Sequence, residues 1–525
     1  MIVGKETKWF AGAEVLILGY GGAGAAAAIT AHDAGARVLI LEKQPGDTPT
    51  RTHHTPNTRM SAGAWYCPTD LDKTLLYLEG MAKIAGEVLD PERREMLQTL
   101  ARYITDNDAW LAKIGVRSGG GEGLSPTHPI SVGLTPEVVA GRVYTADFPD
   151  LPGAESSCLS LPKVTGQYRH GAALFKSLAA AVRKRSIPVL WEAQATHLLS
   201  HRGKICGVKA LIKGKEATLR ASRAVILTCG GFEFSPGMKE NFLRVNPVHF
   251  YGNPGNTGDG VTMAMEVGAA LWHMNNASWR VTMKFPDFPI AFGTQHHSTA
   301  LFVDRRGQRF TNERFKMHSF GYELTNYDTY AMCYPKVPSY WIFDEKRRAF
   351  GALASIHGAC NPPGGIMGDI HYLWSADNRK EIDRGWIMRA NTVAELAKKI
   401  RADADNNDLM SSSGLKATVK RYNGHCRRGE DLDFRKPADL LQSLEDPPYY
   451  AVKLWPGGPN TQGGPKRNVR GQVVSVHGTP IPRLYAAGEL GSVWGMFYQG
   501  GGNIAECFSF GRIAGAEAAA EKIMK

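Results

Sequence analysis

The chain has 525 residues, 43% apolar and 21% charged, with 62 lysines and arginines against 50 acidic residues for a net charge of +12. That length calls for more than one folded core, and the composition is that of a globular protein rather than a disordered or fibrous one. The basic residues are dispersed, with no Lys/Arg-rich block and no aromatic platform, which argues against a nucleic-acid partner and leaves attraction of an acidic small molecule.

No apolar run reaches the roughly 18–20 residues of a membrane span, and no charged–apolar–small leader pattern opens the sequence, so a cytoplasmic protein without a membrane span is expected. The eight cysteines are scattered singly, without a CxxC or a Cys/His cluster. Iron–sulfur, c-type haem and structural zinc therefore lack ligands, no metal is expected, and redox chemistry falls to an organic cofactor.

In chain order, Glu14–Leu18 reads as a buried strand, followed by Gly19-Tyr-Gly-Gly-Ala-Gly24, an alanine-rich helix over Ala25–Ala36 and a second strand, Val38–Leu41, that ends in Glu42. A glycine turn between strand and helix lets the backbone approach a phosphate, the helix start offers free N–H groups, and an acid about twenty positions on meets a ribose hydroxyl. A dinucleotide site is expected, with Gly19, Gly21, Gly22, Gly24 and Glu42 as contacts. Helical patterns span Asp70–Ile114, residues 115–165 read as loop with short strands, and Gly171–Arg185 is an amphipathic helix. Strands are expected at Pro188–Trp191, His197–Ser200, Ile205–Ile212 and Ala224–Thr228. From Trp272 to about Pro447 the texture changes to aromatic-rich, proline-punctuated short strands, with helices at Val393–Ile400 and Leu415–Gly424. The strand Ile481–Ala487 and the helix Asn503–Met524 then restore the α/β alternation.

Further glycine-dense turns follow strands at Cys229-Gly-Gly-Phe232, Asn256-Thr-Gly-Asp-Gly260, Ala487-Gly-Glu489 and Gly500-Gly-Gly-Asn503. Several backbone approaches to one extended ligand fit FAD better than NAD, and the last turn sets a helix N-terminus where negative charge develops on a reduced flavin. The chain resembles the FAD-dependent fumarate reductase/succinate dehydrogenase flavoprotein superfamily over nearly its whole length. The carrying residues are Gly19–Gly24 with Glu42-Lys43, Asn57-Thr-Arg-Met-Ser-Ala-Gly63, Thr228-Cys-Gly-Gly-Phe-Glu233, Thr257-Gly-Asp-Gly260, Gly307-Gln-Arg-Phe-Thr-Asn-Glu313 and Tyr485-Ala-Ala-Gly-Glu489. The resemblance implies an α/β fold: a Rossmann-like FAD-binding domain from residues 1–272 and 448–525, with an inserted α+β substrate (cap) domain at 273–447. It also implies non-covalent FAD held by Lys43, Asn57, Ser61, Gly63 and Ala195, by Cys229, Gly230, Gly231 and Asp259, and by Gly488, Glu489, Asn503 and Ile504.

The dicarboxylate reductases of this superfamily clamp their substrate with a Thr-Glu pair, two histidines and two arginines. Here Phe292 and Gly293, Pro459 and Asn460, Met317 and Gln499 stand at those positions, which argues against fumarate or succinate. The run Ser492-Val-Trp-Gly-Met-Phe-Tyr498-Gln-Gly-Gly-Gly502 is similar to the 3-ketosteroid dehydrogenase branch, where the tyrosine hydroxyl and the last glycine amide donate to a ketone oxygen. Tyr498 and Gly502 are the matching residues, and such donors stabilise an enolate-like oxygen while the neighbouring carbons exchange a proton and a hydride.

That branch's general-base tyrosine is also replaced by Met317, and Tyr66 is a weak match to its helper. Proton transfer is therefore assigned to a cap side chain, with Tyr322 and His318 as first candidates and Tyr327, Tyr330, Tyr334 and Tyr340 behind them. The expected activity is a CH–CH oxidoreductase interconverting saturated and α,β-unsaturated carbonyl compounds, with a small apolar carbonyl substrate and a separate electron donor or acceptor. The alternative is a reductase of unsaturated carboxylates or acyl thioesters, with Arg280 or Lys284 holding the anion. A non-catalytic flavin-fold protein is a remote third reading. Thr52-His-His54 is read as not carrying covalent flavin, and His296-His297, on opposite faces of a strand, as not binding metal.

Overall fold

A computed structural model describes residues 8–48, 52–118, 138–139, 142–163, 170–294, 301–313, 317–354 and 372–524. The chain opens with β1 (Ala11–Leu18), α1 (Gly22–Asp33) and β2 (Val38–Leu41). Then come α2 (His170–Lys184), β3 (Val189–Leu190), β4 (Ala193–His201), β5 (Lys204–Ile212) and β6 (Lys215–Leu227). The central part contributes β7 (Arg280–Met283), β8 (Leu301–Val303), β9 (Ser339–Asp344) and β10 (Tyr449–Gly458). Finally the chain adds β11 (Gln472–Val474), β12 (Pro480–Ala486) and α3 (Gly502–Ala520).

β1 lies between β2 and β6 in parallel register, with Leu18 beside Leu41 and Leu227. The main sheet runs β11-β12-β6-β1-β2-β3, and the hairpin β4–β5 extends from β6. Both faces of its centre are covered, which is why these strands are near-continuous apolar runs rather than alternating ones. α1 and α3 pack on one face through small residues. A Cβ on Gly511 would lie 2.7 Å from the Ala26 Cβ, and one on Gly515 would lie 2.5 Å from the Ala27 carbonyl oxygen. Alanine on one helix and glycine on the other let the two axes approach until their backbones touch.

The cap is built on a second sheet in which β10 is central, paired with β7 and β9, while β8 flanks β9. Tyr449–Gly458, which follows the expected 447/448 boundary, is hydrogen-bonded to cap strands on both edges. His249–Phe250 also pairs with β10, so the cap sheet draws on residues before 273 as well. The expected strand Ala224–Thr228 is the inner end of a longer one, β6, whose outer half is a charged hairpin arm. Among the described residues no helix is long and apolar enough to cross a membrane. The seven described cysteines are free thiols; Cys360 and His296-His297 lie outside the described residues.

Candidate active site

A cleft with about 1810 Å³ of empty volume, part of it open to solvent, runs between the main sheet and the cap. Both α1 and α3 point their N-termini into it. Their N-cap residues, Gly21 and Gly501, make no side-chain cap, and neither helix has an acidic residue in its first turn. The Gly22 N–H at the start of α1 donates to Thr58 Oγ1, and the first two of α3 donate to the Gln499 carbonyl and the Tyr498 hydroxyl, while the helix dipoles favour a negative ligand in the cleft.

The expected cofactor contacts assemble along this cleft. Gly19, Gly21, Gly22, Glu42, Lys43 and Ala195 line one end, and Asn57, Ser61 and Gly63 line its floor. Cys229, Gly230, Asp259, Gly488 and Glu489 form the wall nearest the sheet, while Asn503 and Ile504 belong to the start of α3. Gly24 and Gly231 stand behind the wall, as spacers. A Cβ on Gly24 would meet the Gly19 carbonyl oxygen at 2.1 Å, and one on Gly231 would meet Thr461 Oγ1 at the same distance.

Gly19 has φ +105°, with Thr228 O at 2.4 Å from where a Cβ would sit. Gly19→Ala is therefore expected to weaken FAD binding by about 10²-fold or more, roughly 3 kcal/mol. Flavin fluorescence on dilution of the purified variant measures this; retention equal to wild type contradicts it.

Glu42 is held for its role by backbone donors. Its Oε2 accepts from the Tyr20 N–H and its Oε1 from the Gln44 N–H, both at 2.8 Å, while His54 Nε2 stands 3.4 Å away. Burial pushes its pKa up, but His54 and these donors outweigh it, so the carboxylate stays ionised. His54 itself does not line the cleft: it stacks on Tyr20 at 5.4 Å and meets Phe175 and Trp191 edge-on. That enclosure supports non-covalent flavin. Lys43 donates to Thr257 Oγ1 and Asp259 Oδ2 at 2.9 Å each.

The other end of the cleft holds the chemistry-bearing groups. The Tyr498 hydroxyl oxygen accepts from the Asn503 N–H at 3.3 Å, at the positive end of α3. A hydroxyl whose lone pair is engaged this way keeps its own proton for a ligand. Burial pushes the Tyr498 pKa up, so that proton is retained across the working pH range. His318 lines the cleft with its ring against Tyr498, centroids 4.6 Å apart at 78°. Its Nδ1 lies 3.6 Å from Asp147 Oδ2. Burial holds the His318 pKa below its ordinary value while Asp147 opposes, leaving a neutral imidazole.

Asp147 also fixes the turn, since its Oδ2 accepts from the Gly500 N–H at 3.1 Å and its own N–H donates to Gln499 Oε1 at 3.0 Å. Arg280, on β7, is buried in the cleft wall and donates from Nη1 to the Tyr251 hydroxyl at 3.3 Å. Asp147 and Tyr251 were not singled out from sequence, because both lie in stretches without a recognisable motif.

Several expectations about this end change. The Gly502 N–H donates to the Gln499 carbonyl at 2.8 Å inside the turn, and Gly502 faces Trp494 rather than the cleft. Tyr322 does not line the cleft either: its hydroxyl donates to the Met496 carbonyl at 2.6 Å and its ring packs by Trp279 and Phe497. Tyr66 is buried with its hydroxyl 3.0 Å from Ser157 Oγ. The remaining cap tyrosines are absent from the cleft lining: Tyr327 and Tyr330 are exposed, Tyr334 donates to the Arg244 carbonyl, and Tyr340 is bonded by Asn406. The Lys284 ammonium is turned onto the Phe285 and Phe288 carbonyls. Met317 opens the short helical segment Met317–Leu324, and its side chain lies outside the described residues.

Of the substituted clamp positions, Gly293, Pro459 and Asn460 line the cleft. Gln499 is buried beneath it, accepting from the Tyr77 hydroxyl at 2.6 Å. Neither Asn460 nor Gln499 brings a charge to a bound carboxylate.

Residues 14–504 match the family model FAD_binding_2, FAD binding domain. The 3-oxosteroid 1-dehydrogenase of Mycobacterium tuberculosis (strain ATCC 25618 / H37Rv) is 27% identical over 582 residues, spanning 95% of this chain and 97% of that protein. The Fumarate reductase (cytochrome) of Shewanella frigidimarina is 27% identical over 534 residues, spanning 96% of this chain and 77% of that protein. The crystal structure of 3-ketosteroid delta1-dehydrogenase from Sterolibacterium denitrificans in complex with 1,4-androstadiene-3,17-dione matches the fold with a TM-score of 0.77 at 22% identity, covering 97% of this chain and 100% of that one. With the glycine cradle, the two helix starts and the match over residues 14–504, the chain belongs to the FAD-binding-domain family of flavoproteins and is an FAD-dependent oxidoreductase.

Proposed function

We propose that this enzyme interconverts a saturated carbonyl compound and its α,β-unsaturated counterpart, acting on the CH–CH bond next to a ketone. Bound FAD supplies hydride exchange with the β-carbon. Tyr498 donates its hydroxyl proton to the carbonyl oxygen, and the N-terminus of α3 stabilises the charge that builds there. His318, neutral and held beside Tyr498, takes the α-proton in the oxidative direction and returns it in the reductive one, with Asp147 orienting the imidazole. Electrons pass to or from a separate donor or acceptor in the cytoplasm. The observation that carries this reading is the Tyr498 hydroxyl, which accepts from Asn503 and lies on the cleft wall with a proton to give.

One observation favours a second reading. Arg280 is the only arginine lining the described cleft, and a buried guanidinium there suits an unsaturated carboxylate or an acyl thioester carrying an acidic group. Reoxidation of the reduced enzyme by cyclic enones, steroid enones and 2-enoates separates the two. The ketone reading expects turnover with enones that survives Arg280→Leu. The acid reading expects turnover with enoates, loss of at least 10²-fold in that variant, and inhibition by simple carboxylates that weakens with salt.

A further inference from the structure

Glu233 is fully buried and Glu489 is partly buried where it lines the cleft, and their carboxylates converge on the same two amide groups. The Asn57 side-chain nitrogen donates to Glu233 Oε1 and to Glu489 Oε1, both at 2.8 Å. The Asn256 nitrogen donates to the same two oxygens, at 2.7 and 2.9 Å. The Asn57 amide is not reversed, because its oxygen accepts from the Asn253 N–H at 2.6 Å. Both hydrogens of each amide are thus used on one pair of oxygens, which forces the two acids together. Glu233 also accepts from the Thr461 hydroxyl, at 3.2 Å, and from its own backbone N–H, while Glu489 accepts from the Gly231 N–H.

Among the described residues no lysine or arginine is ion-paired with either acid. Lys239, whose charge Glu233 favours, donates to the Val248 carbonyl. On the α3 side the neighbour is the Cys507 thiol, which burial keeps protonated. Arg467 donates to the Gly488 and Leu490 carbonyls and is ion-paired with Glu506, while Lys43 and Asp259 neutralise each other farther along the wall. Two ionised carboxylates in this enclosure would repel each other without a compensating charge. Glu489, Asn57 and Asn256 also line the cleft that takes the anionic FAD.

We propose that Glu233 and Glu489 act as one acid–carboxylate pair that holds a single proton, and that retention of FAD requires this proton. With it, the wall presents one negative charge to the dinucleotide instead of two. Burial and the mutual repulsion of the two groups push the Glu489 pKa well up, in keeping with that assignment. The inference concerns the cofactor wall and is independent of which substrate the enzyme takes.

The test uses the holoenzyme. Infrared spectra at neutral pH should contain a protonated-carboxyl C=O band that shifts in D2O and is absent from both Glu489→Gln and Glu233→Gln. A band from any other protonated buried carboxyl would persist in both variants. FAD release, followed by flavin fluorescence, should rise with pH in the alkaline range by up to about tenfold per unit, as for one linked proton. In Glu233→Gln the surviving carboxylate is surrounded by amide donors, so that pH dependence should flatten. A wild-type protein lacking the band, variants that keep it unchanged, or wild-type FAD release that is independent of alkaline pH would each overturn the proposal. The first and last of these need no variant.

Discussion

Tyr498→Phe is expected to yield a folded, yellow protein whose turnover is lower by about 10²-fold, the usual effect of removing one donor from a developing oxyanion. The ring is packed against His318 and Trp494, and phenylalanine preserves that packing. Only the hydroxyl is lost, and with it the bond from the Asn503 N–H, which a bound carbonyl or water can accept instead. The effect should fall on kcat more than on KM, because the oxygen carries its charge in the transition state and not before. The same experiment read against pH identifies the proton-transfer group. Burial holds His318 below its ordinary value near 6.5, so in the oxidative direction the rate should climb through a pH below that and then level off. Asp147→Asn removes the carboxylate that opposes burial and should carry this acid limb to still lower pH. Unchanged turnover in Tyr498→Phe, or an acid limb that Asp147→Asn leaves in place, removes the assignment.

Arg309→Met should destabilise the cap by about 3–5 kcal/mol, a fall in Tm on the order of 10 °C. Arg309 Nη2 bridges Glu313 Oε2 at 2.8 Å and Asp431 Oδ2 at 2.9 Å, and the side chains of both acids are fully enclosed. Lys436 joins at 3.4 Å from Glu313. Taking out the guanidinium leaves two buried carboxylates and one ammonium, so an uncompensated charge remains in the cap. Against the upward push of burial, Arg309 and the backbone donors hold the Asp431 pKa at about 2. That is below its unfolded value of about 3.9, so this contribution is complete above about pH 4 and fades as pH falls toward 2. Thermal melts of wild type and variant from pH 7 down to pH 2 should therefore converge at the acid end. A parallel pair of curves would show that the network contributes no such linkage.

The opening β1–α1–β2 unit was fully legible because every part of its signal is local: strand, turn, helix and acid lie within about thirty residues. The cleft's far end was legible only in part. Tyr498 stood out because it sits in a motif, but the amide expected beside it at Gly502 closes a turn on Gln499. Whether a backbone N–H faces a ligand or its own loop depends on turn geometry that residue types do not encode. Tyr322 and Tyr66 were plausible on chemistry alone, whereas the hydroxyls of both are committed to near neighbours. Asp147 and Tyr251 reach the site from loop and short-strand segments far from it in sequence. Tyr449–Gly458 is glycine-terminated and apolar like the FAD-binding strands, although its hydrogen bonds go to the cap sheet, a pairing that residue types alone do not encode. Arg309 and Glu313 were read within a family motif, and they prove to be structural members of a buried network.

The glycine-on-alanine contact between α1 and α3 also orders events during synthesis. α1 follows the phosphate-binding turn, yet the helix that buries its alanine face is made hundreds of residues after it. β12, which extends the same sheet beyond β6, is made shortly before that helix. A nascent chain therefore carries an opening β–α–β unit with one bare face while the cap, contiguous apart from β10's late arrival, is being produced. The cofactor cleft has no second helix start and no far wall until Gly502–Ala520 has docked. FAD capture thus waits for α3, and truncation within that helix should release a colourless protein rather than a smaller flavoprotein.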